Sequence, residues 1–323
     1  MKLNVHLLQE FDKKFVKSLD RKTHDNIVLT YGKELPSPSE YQILIAGRPE
    51  RKHLIASPNL KTLIIPWAGL PEQTRTLLLE YPDITVHNIH HNAAPAAEMA
   101  ITLMLAACKD LVPIDRALRN NDWRPRYRSD RALLLEGKTA LILGYGAIGK
   151  RIAAICHSLG MKVNAIRRMD TGLNDRYVNL YSISDLHRLL KVANVVFVSL
   201  PLTPETQGII GSKELDILPR GTALVNVARG PIIKEKSLYD ALRANHIKAG
   251  LDVWYEYPKK ENRSNTHPSK YPFHKLDNVV MTTHLAGHAD DTEKLRLSAL
   301  AELLNLAAED KILPSRVNLS LGY

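Results

Sequence analysis

The chain of 323 residues is poor in cysteine, in phenylalanine and in long apolar runs. Its two cysteines, Cys108 and Cys156, belong to no CxxC motif and no zinc-ligand spacing. This argues against a disulfide scaffold or a zinc site and suggests buried thiols in a reducing compartment. No apolar run approaches the roughly 18 residues that span a bilayer, and the densest, residues 192–202, has the length of a strand.

The N-terminal residues and the net charge indicate where the protein is expected to be and what it is expected to bind. The first residues, "MKLNVHLLQEFDKKF", lack the long apolar centre of a signal peptide, so a cytoplasmic location is expected. The net charge of +10 favours anionic ligands. It is spread along the chain without a nucleic-acid-binding motif, so neither nucleic acid nor a membrane is an expected partner. His87, His90 and His91 lie close together, but no further ligand spacing accompanies them and no metal site is predicted.

Strand-length apolar segments alternate with helical segments through most of the chain, which predicts an α/β protein with doubly wound parallel sheets in two domains. Residues 95–108, "PAAEMAITLMLAAC", predict a helix that is apolar on many sides and therefore buried, either between domains or between subunits. A long helix is predicted over 290–310, and "SRVNLSLGY" is expected to form a last strand. Other strands are predicted near 3–7, 43–47, 62–65, 85–88, 139–144, 163–166, 195–199, 222–227, 248–252 and 279–283.

Residues 141–150, "LILGYGAIGK", contain the motif GxGxxG between a predicted strand and a predicted helix. In this context Gly144 permits the tight turn, Gly146 lets a pyrophosphate approach the backbone, and Gly149 lets the helix pack on the strand. The helix N-terminus, with the N–H groups of Ala147 and Ile148, would face the diphosphate. The stretch predicts a dinucleotide-binding unit.

The next predicted strand ends in two arginines, Arg167 and Arg168. NAD-binding units usually place an acid here to accept hydrogen bonds from the adenosine ribose, whereas a guanidinium binds a 2′-phosphate through paired N–H donors. The arginines therefore favour NADP(H), with NAD(H) also possible. The alternative is a solvated basic turn that pairs with an acid such as Asp170 or Asp175.

Three polar residues follow three further apolar strands, where open α/β sheets bind their ligands. They are Arg229 in "TALVNVARG", Asp252 in "KAGLDVW" and His284 in "NVVMTTHLAG". An arginine could hold the carboxylate of a 2-oxo acid, and a protonated histidine could supply a proton as hydride arrives. Each residue alone could be structural, but their joint placement after a glycine loop favours a catalytic site.

These stretches resemble the D-2-hydroxyacid dehydrogenase family, which includes phosphoglycerate, glyoxylate/hydroxypyruvate and D-lactate-type enzymes and formate dehydrogenase. The likeness is strongest over residues 88–287 and also includes "NAAPAAEMAITLMLA", "SLPLTPETQGII" and "LPRG". It implies a Rossmann NAD(P)-binding domain, residues 95–288, inserted into a flavodoxin-like substrate domain, residues 1–94 and 289–323. It also implies a homodimer that is joined through the nucleotide-binding domains.

The resemblance also assigns roles. It implies that Arg229 binds substrate, His284 is the acid/base and Asp252 holds the nicotinamide side. The stretch from Pro201 to Thr206 would line the adenine and ribose region. Further cofactor contacts are expected at Val227, Ala228 and Gly287.

A first-domain loop, "PWAGLPEQ" at residues 66–73, matches the family loop whose backbone amides hold the substrate carboxylate. The amides near Ala68 and Gly69 would form this anion site. Trp67 could either wall the pocket or pack within its domain. Arg48 is a weaker candidate for binding a distal anionic group.

The chain departs from the family where a glutamate usually pairs with the catalytic histidine. The stretch reads "DVWYEYP", which puts Tyr257 in that place and Glu256 one residue earlier. A tyrosine hydroxyl can orient the imidazole but adds no negative charge, so a lower histidine pKa and an acid-shifted optimum are expected. Alternatively, Glu256 reaches the histidine through an irregular loop. Replacing Tyr257 by Phe is expected to lower turnover more than replacing Glu256 by Gln.

The leading hypothesis is an NADP(H)-preferring reductase of small 2-oxo acids such as glyoxylate or hydroxypyruvate. One alternative is a nucleotide-sensing, corepressor-like binding protein of the same fold. Another is oxidation of formate or phosphite.

Overall fold

The computed structural model describes residues 2–8, 11–127, 132–168 and 175–323. The chain forms two compact units. Met1–Asn92 and Ala289–Tyr323 form the outer unit, and Ala93–His288 form the inserted unit. The boundary lies after residue 92, whereas the sequence placed it after residue 94. Each unit contains one sheet with only parallel pairings, which confirms the predicted doubly wound α/β class.

The outer unit contains a five-stranded sheet with the order β2-β1-β3-β4-β5, which is flavodoxin-like. Helices α1 and α10 share one apolar core with the sheet, and α2 and α3 share the core on its other face. The strands are β1 (Leu3–Leu7), β2 (Ile27–Tyr31), β3 (Ile43–Ile45), β4 (Thr62–Ile65) and β5 (Thr85–Asn88), and the helices are α1 (Lys13–Asp20), α2 (Arg51–Ile55), α3 (Glu72–Leu78) and α10 (Thr292–Ala308).

The inserted unit contains a seven-stranded sheet with the order β12-β11-β10-β9-β6-β7-β8. Helices α4 and α6 pack on one face, and α7, α8 and α9 pack on the other. The strands are β6 (Thr139–Leu143), β7 (Lys162–Ile166), β8 (Asn179–Tyr181), β9 (Val195–Val198), β10 (Ala223–Asn226), β11 (Lys248–Leu251) and β12 (Val279–Met281), and the helices are α4 (Ala93–Cys108), α5 (Leu111–Arg119), α6 (Ala147–Ser158), α7 (Leu186–Leu190), α8 (Ser212–Asp216) and α9 (Glu235–Arg243).

The central strands read as continuous apolar runs because both faces of the sheet are covered. In β6, Ala140 and Ile142 belong to the core beneath α4 and α6, while Leu141 and Leu143 belong to the core on the other face. This alternation follows from the two-residue period of a strand. It fixes which side of the sheet each helix covers.

Helix α4 is buried by its own unit, against β10, β11, β12 and α6. A Cβ at Gly250 of β11 would lie 2.7 Å from Leu103 Cβ, so the glycine allows the helix to lie close to the sheet. The apolar character of α4 therefore reflects packing within its own unit, whereas the sequence suggested burial between domains or between subunits. Among the described residues, no helix is both long and apolar enough to cross a membrane.

Three edge segments differ from the sequence prediction. Strands β2 and β8 were missed because they lie at sheet edges, where mixed exposure weakens the apolar pattern. The expected C-terminal strand is wrong. Only Arg316 forms an isolated antiparallel bridge, to His87 in β5, and the chain then turns through residues 319–322.

Candidate functional site

The candidate site lies where the seven parallel strands of the inserted unit end, here called the carboxyl edge. Chain order reverses between the neighbouring strands β6 and β9, and open α/β sheets bind ligands at such a point. The glycine loop follows β6, and the stretch from Pro201 to Thr206 follows β9. Arg229, Asp252 and His284 follow β10, β11 and β12, which are adjacent strands.

The geometry of the glycine loop fits a bound diphosphate. Gly144 has a φ of 101°, and a Cβ there would lie 2.7 Å from the Ser199 carbonyl oxygen. A Cβ on Gly149 would lie 2.0 Å from the Gly144 carbonyl oxygen, so this glycine lets α6 pack against the turn. A Cβ on Gly146 would meet no protein atom within 4 Å. The first N–H groups of α6, including those of Ala147 and Ile148, have no partner within the helix.

Arg167 and Arg168 continue from the end of β7. The Arg167 N–H donates to the Tyr181 carbonyl of β8 at 3.0 Å. The Gly144 N–H donates to the Ile166 carbonyl at 3.1 Å, which places the next residue, Arg167, beside the glycine loop. Burial and a hydrogen bond to Asp175 raise the pKa of Tyr145, and the charge of Arg167 opposes this rise. Arg168 Nη2 lies 3.3 Å from Glu205 Oε1.

Glu205 was not identified from the sequence. Of the two acids considered there as partners of the arginines, Asp175 accepts hydrogen bonds from the Tyr145 hydroxyl and the Tyr177 N–H. Asp170 lies outside the described residues. The loop that contains Glu205 is held by Thr206, whose hydroxyl donates to the Pro201 carbonyl at 2.6 Å.

Arg229 is exposed and follows a turn that is braced by a buried asparagine. Asn226 Oδ1 accepts from the Ala228 N–H, and its Nδ2 donates to the Arg229 carbonyl, both at 3.0 Å. Arg229 Nη1 donates to the Ala228 carbonyl at 2.6 Å. Asn226 was missed from the sequence, although a polar residue in the otherwise apolar strand "ALVN" could have indicated it. Val227 and Ala228 are buried in the same turn.

Asp252 is fully buried at the end of β11. Its Oδ1 accepts from the Thr282 hydroxyl at 2.7 Å and from the Leu285 N–H at 2.9 Å, and its Oδ2 accepts from the Ala286 N–H at 2.9 Å. These partners all belong to residues 282–288, here called the histidine loop, which includes His284 and Gly287. Asp252 therefore holds the backbone that carries the histidine.

Trp254 binds the same loop from the next turn. Its Nε1 donates to the Thr282 carbonyl at 2.7 Å. A Cβ on Gly230 would lie 2.3 Å from the Trp254 carbonyl oxygen, so the glycine after Arg229 lets the two turns meet. The ends of β10, β11 and β12 are thereby joined into one structure.

His284 has a φ of 61° and packs against Tyr257. The two ring centroids lie 5.4 Å apart, with 53° between the planes. The Tyr257 hydroxyl accepts the Trp254 N–H at 3.2 Å. The contact therefore differs from the hydroxyl-to-imidazole contact that the sequence suggested, because the Tyr257 ring is what contacts His284.

Burial lowers the pKa of His284 below its ordinary value of 6.5. The positive charge of Arg229 also lowers it, and His288 adds a smaller decrease. Among the described residues, only Asp252 opposes the shift. Glu256, whose N–H donates to the Pro268 carbonyl at 3.0 Å, is not among the described groups that shift this pKa.

The predicted substrate residues of the first domain lie in the outer unit. A Cβ on Gly47 would lie 1.8 Å from the Trp67 ring, so Trp67 packs directly over this glycine within its own unit. Asn88 Nδ2 donates to the Ala68 carbonyl at 2.8 Å, which fixes the loop before Gly69. Arg48 is exposed after β3.

The outer unit contains a cluster of histidines, and the inserted unit contains two cavities. In the outer unit, burial lowers the pKa of His87 and His90, and lowers that of His91 to about 4. The described residues include no group of three or more His, Cys, Asp or Glu placed to hold a metal ion. Cavities of about 470 and 760 Å³ share Arg220 and Arg243 near the opposite ends of the strands, so the site is defined by strand ends and not by cavity volume.

The fold and the residues at its carboxyl edge define a dinucleotide-binding protein of the doubly wound class. Residues 101–286 match the NAD-binding domain of D-isomer specific 2-hydroxyacid dehydrogenases. The chain belongs to this family, which confirms the resemblance seen in its sequence.

Two relatives are 29% and 33% identical to this chain over the matched residues. It is 29% identical over 238 residues to D-3-phosphoglycerate dehydrogenase of Methanocaldococcus jannaschii, a match that covers 73% of this chain and 43% of the relative. It is 33% identical over 230 residues to glyoxylate reductase of Korarchaeum cryptofilum, covering 69% and 65%. The chain thus spans less than half of the first relative.

A solved structure is similar over the whole chain. It is a D-isomer specific 2-hydroxyacid dehydrogenase from Xanthobacter autotrophicus Py2 in complex with NADPH and MES. The match has a TM-score of 0.83 with 24% identity and covers all of both chains. At this identity the likeness supports the fold.

The bonds of Asp252 generate a test. Replacing Asp252 with Asn removes the charge that opposes the lowered pKa of His284, so this pKa should fall further. It also leaves a loop N–H without its acceptor, which should cost about 1–3 kcal/mol of the free energy of unfolding. Histidine resonances followed by NMR across pH, together with denaturant unfolding, measure the two effects. Asp115→Asn, which changes an exposed acid of α5, is the control; equal His284 titrations in both variants would contradict this role.

Proposed function

We propose that this protein is an NADP(H)-preferring oxidoreductase that reduces small 2-oxo acids of the glyoxylate or hydroxypyruvate type. The observation that supports the proposal most directly is the grouping of Arg229, Tyr257 and His284 at the ends of three adjacent strands. The charge of Arg229 acts on both of the other side chains. A cation beside a titrating imidazole is the arrangement that reduction of a 2-oxo acid requires.

In this proposal Arg229 binds the substrate carboxylate and polarises the carbonyl group that is reduced. Reduced nicotinamide, when bound, supplies the hydride that adds to the carbonyl carbon. The imidazolium of His284 gives its proton to the carbonyl oxygen, so a hydroxyl group forms and the histidine becomes neutral. Oxidation of the 2-hydroxy acid reverses these transfers and needs neutral His284.

Asp252 and Tyr257 act through His284. Asp252 holds the histidine loop through three hydrogen bonds, and its negative charge partly offsets the lowering of the imidazole pKa. Tyr257 covers one side of the imidazole with its ring. Both are positioning residues in this proposal, and Glu256 has no direct role.

The glycine loop and the two arginines would hold the cofactor. Gly144, Gly146 and Gly149 shape the turn for the diphosphate, and the first turn of α6 offers N–H donors. Arg167 and Arg168 would bind the 2′-phosphate of NADP(H). The loops with Pro201, Thr206, Val227, Ala228 and Gly287 would complete the cofactor site. NADPH in the similar Xanthobacter structure supports this preference.

In this proposal the outer unit contributes further contacts to the substrate, and the inserted unit binds the cofactor and supplies Arg229 and His284. The N–H groups of Ala68 and Gly69 would bind the carboxylate, with Trp67 and Arg48 nearby in the same unit. The described residues of that unit provide no backbone acceptor for these two N–H groups. Exposed apolar residues on α5, among them Leu111 and Leu118, support a homodimer through the inserted units.

The test is cofactor oxidation by the full chain with a panel of glyoxylate, hydroxypyruvate, pyruvate and 3-phosphohydroxypyruvate. At least one acid should consume NADPH, and His284→Asn should lower turnover by about 100-fold or more. Nicotinamide absorbance measures the rate. NADPH binding without turnover of any acid would instead support a nucleotide-sensing protein, and NADP⁺ reduction by formate or phosphite would support the third alternative.

Cofactor preference should depend on the arginines after β7. Replacing Arg167 or Arg168 with Ala removes charge-assisted hydrogen bonds to a 2′-phosphate, so the ratio of kcat/KM for NADPH over NADH should fall about tenfold or more. Steady-state kinetics with both cofactors measure the ratio. Arg188→Ala, at an exposed ion pair with Asp185, is the control. If neither variant changes the ratio, Arg167 and Arg168 are surface residues that do not bind the 2′-phosphate.

The pH dependence should report the lowered pKa of His284. Reduction needs the imidazolium, so kcat/KM should be highest at low pH and fall as pH rises through a midpoint below 6.5. Oxidation needs the neutral imidazole and should rise across the same range. Tyr257→Ala uncovers His284 and should move the midpoint upward, because burial is the main cause of the lowered pKa.

Two conservative variants separate the ring of Tyr257 from its hydroxyl. Tyr257→Phe keeps the ring but loses the acceptor for the Trp254 N–H, so it should lower turnover modestly without moving the midpoint. Glu256→Gln should change neither quantity. A midpoint that moves with Glu256→Gln and not with Tyr257→Ala would contradict the assigned roles.

A further inference from the structure

The ion pair between Arg168 and Glu205 joins two loops at the carboxyl edge. Arg168 follows β7, and Glu205 lies in the loop after β9. Strand β6 lies between these two strands, so the pair spans the end of the strand that leads into the glycine loop. Both side chains remain partly exposed, at 43% and 65%. A ligand approaching this edge can therefore reach both of them.

The position of Glu205 is set by a closed turn. The Thr203 N–H donates to Thr206 Oγ1 at 2.8 Å, and the Gln207 N–H donates to the Thr203 carbonyl at 2.9 Å. Thr203 is buried, which anchors the turn to the unit. These bonds fix the backbone at Glu205, so only its side chain must be ordered for the carboxylate to pair with Arg168.

The charges of Arg168 and Glu205 affect the binding of NADP(H) and of NAD(H) differently. A 2′-phosphate, with a charge of about −1.5 to −2 near neutral pH, would bind Arg168 only by displacing or facing the Glu205 carboxylate. A 2′-hydroxyl can instead donate a hydrogen bond to that carboxylate. Arg167 still supplies a positive charge beside the glycine loop.

We infer that Glu205 is a specificity-determining residue that competes with the 2′-phosphate for Arg168 and limits the preference for NADP(H) over NAD(H). This rests on the proposed dinucleotide function. The end of β7 has no acid to accept a hydrogen bond from the ribose, and Glu205 in the loop after β9 supplies that acceptor. Arg167 and Arg168 supply the phosphate contacts. The resulting site accepts both cofactors, with a moderate preference for the phosphorylated one.

The test uses two cofactor fragments and requires no turnover. Glu205→Gln removes the competing charge but keeps the shape of the side chain. The Kd of adenosine 2′,5′-bisphosphate should fall about three- to tenfold, because an exposed charge acts through water. The Kd of AMP, which has a 2′-hydroxyl, should stay equal or rise. Isothermal titration calorimetry on the full chain measures both constants, and the gain should shrink at high salt.

Controls separate the possible outcomes. Asp115→Asn removes a similarly exposed acid, paired with Arg119 on α5, and should leave both constants unchanged. Arg168→Ala should weaken only the bisphosphate. If neither fragment binds the unaltered chain, the dinucleotide function itself fails. If both bind and Arg168→Ala weakens the bisphosphate, an unchanged ratio in Glu205→Gln, at an unchanged melting temperature, overturns the inference about Glu205.

Discussion

The candidate site depends on one buried carboxylate. Asp252 has no exposed surface, and a charge in such a place is tolerated only when hydrogen bonds replace its lost hydration. The histidine loop provides them through the Thr282 hydroxyl and two backbone N–H groups. Since these donors lie on both sides of His284, the carboxylate defines the backbone of the histidine itself. It can therefore sustain the left-handed φ of 61° at that residue, which is unfavourable for a side chain of this size.

The charged neighbours of His284 shift the pKa of its imidazole in opposite directions. Arg229, which we propose binds the substrate carboxylate, lowers the pKa of His284. Many enzymes offset such a cation with an acid beside the histidine, but here an aromatic ring occupies that place. The Tyr257 ring packs against His284 and adds no charge, so it contributes burial and not attraction for the proton. In the proposed reduction, the lowered pKa makes the imidazolium a stronger proton donor but leaves less of it as pH rises.

Opposite charges also meet at the carboxyl edge beside the glycine loop. Arg168, after β7, faces Glu205 from the loop after β9, and β6, which leads into the glycine loop, lies between these two strands. The glycines explain close approach to a diphosphate, and this approach is independent of whether the ribose is phosphorylated. In the proposed cofactor site, discrimination between NADP(H) and NAD(H) would therefore depend on exposed side chains around the glycine loop, where solvent weakens each contribution.

The sequence by itself determined the α/β class, the glycine loop and the strand ends that carry Arg229, Asp252 and His284, because strand periodicity and glycine spacing are local properties. It could not identify edge strands such as β8, whose exposure removes the apolar pattern. Only the tertiary structure decided that Asp252 binds the histidine loop, that the Tyr257 ring contacts His284, and that Glu205 pairs with Arg168. These contacts join residues that are 27 to 37 positions apart in the chain, the shortest separation being that of Tyr257 and His284 and the longest that of Arg168 and Glu205. Such contacts depend on the order of the strands in the sheet and on Gly230, which lets two turns approach closely. Neither feature can be read from how far apart these residues lie in the sequence.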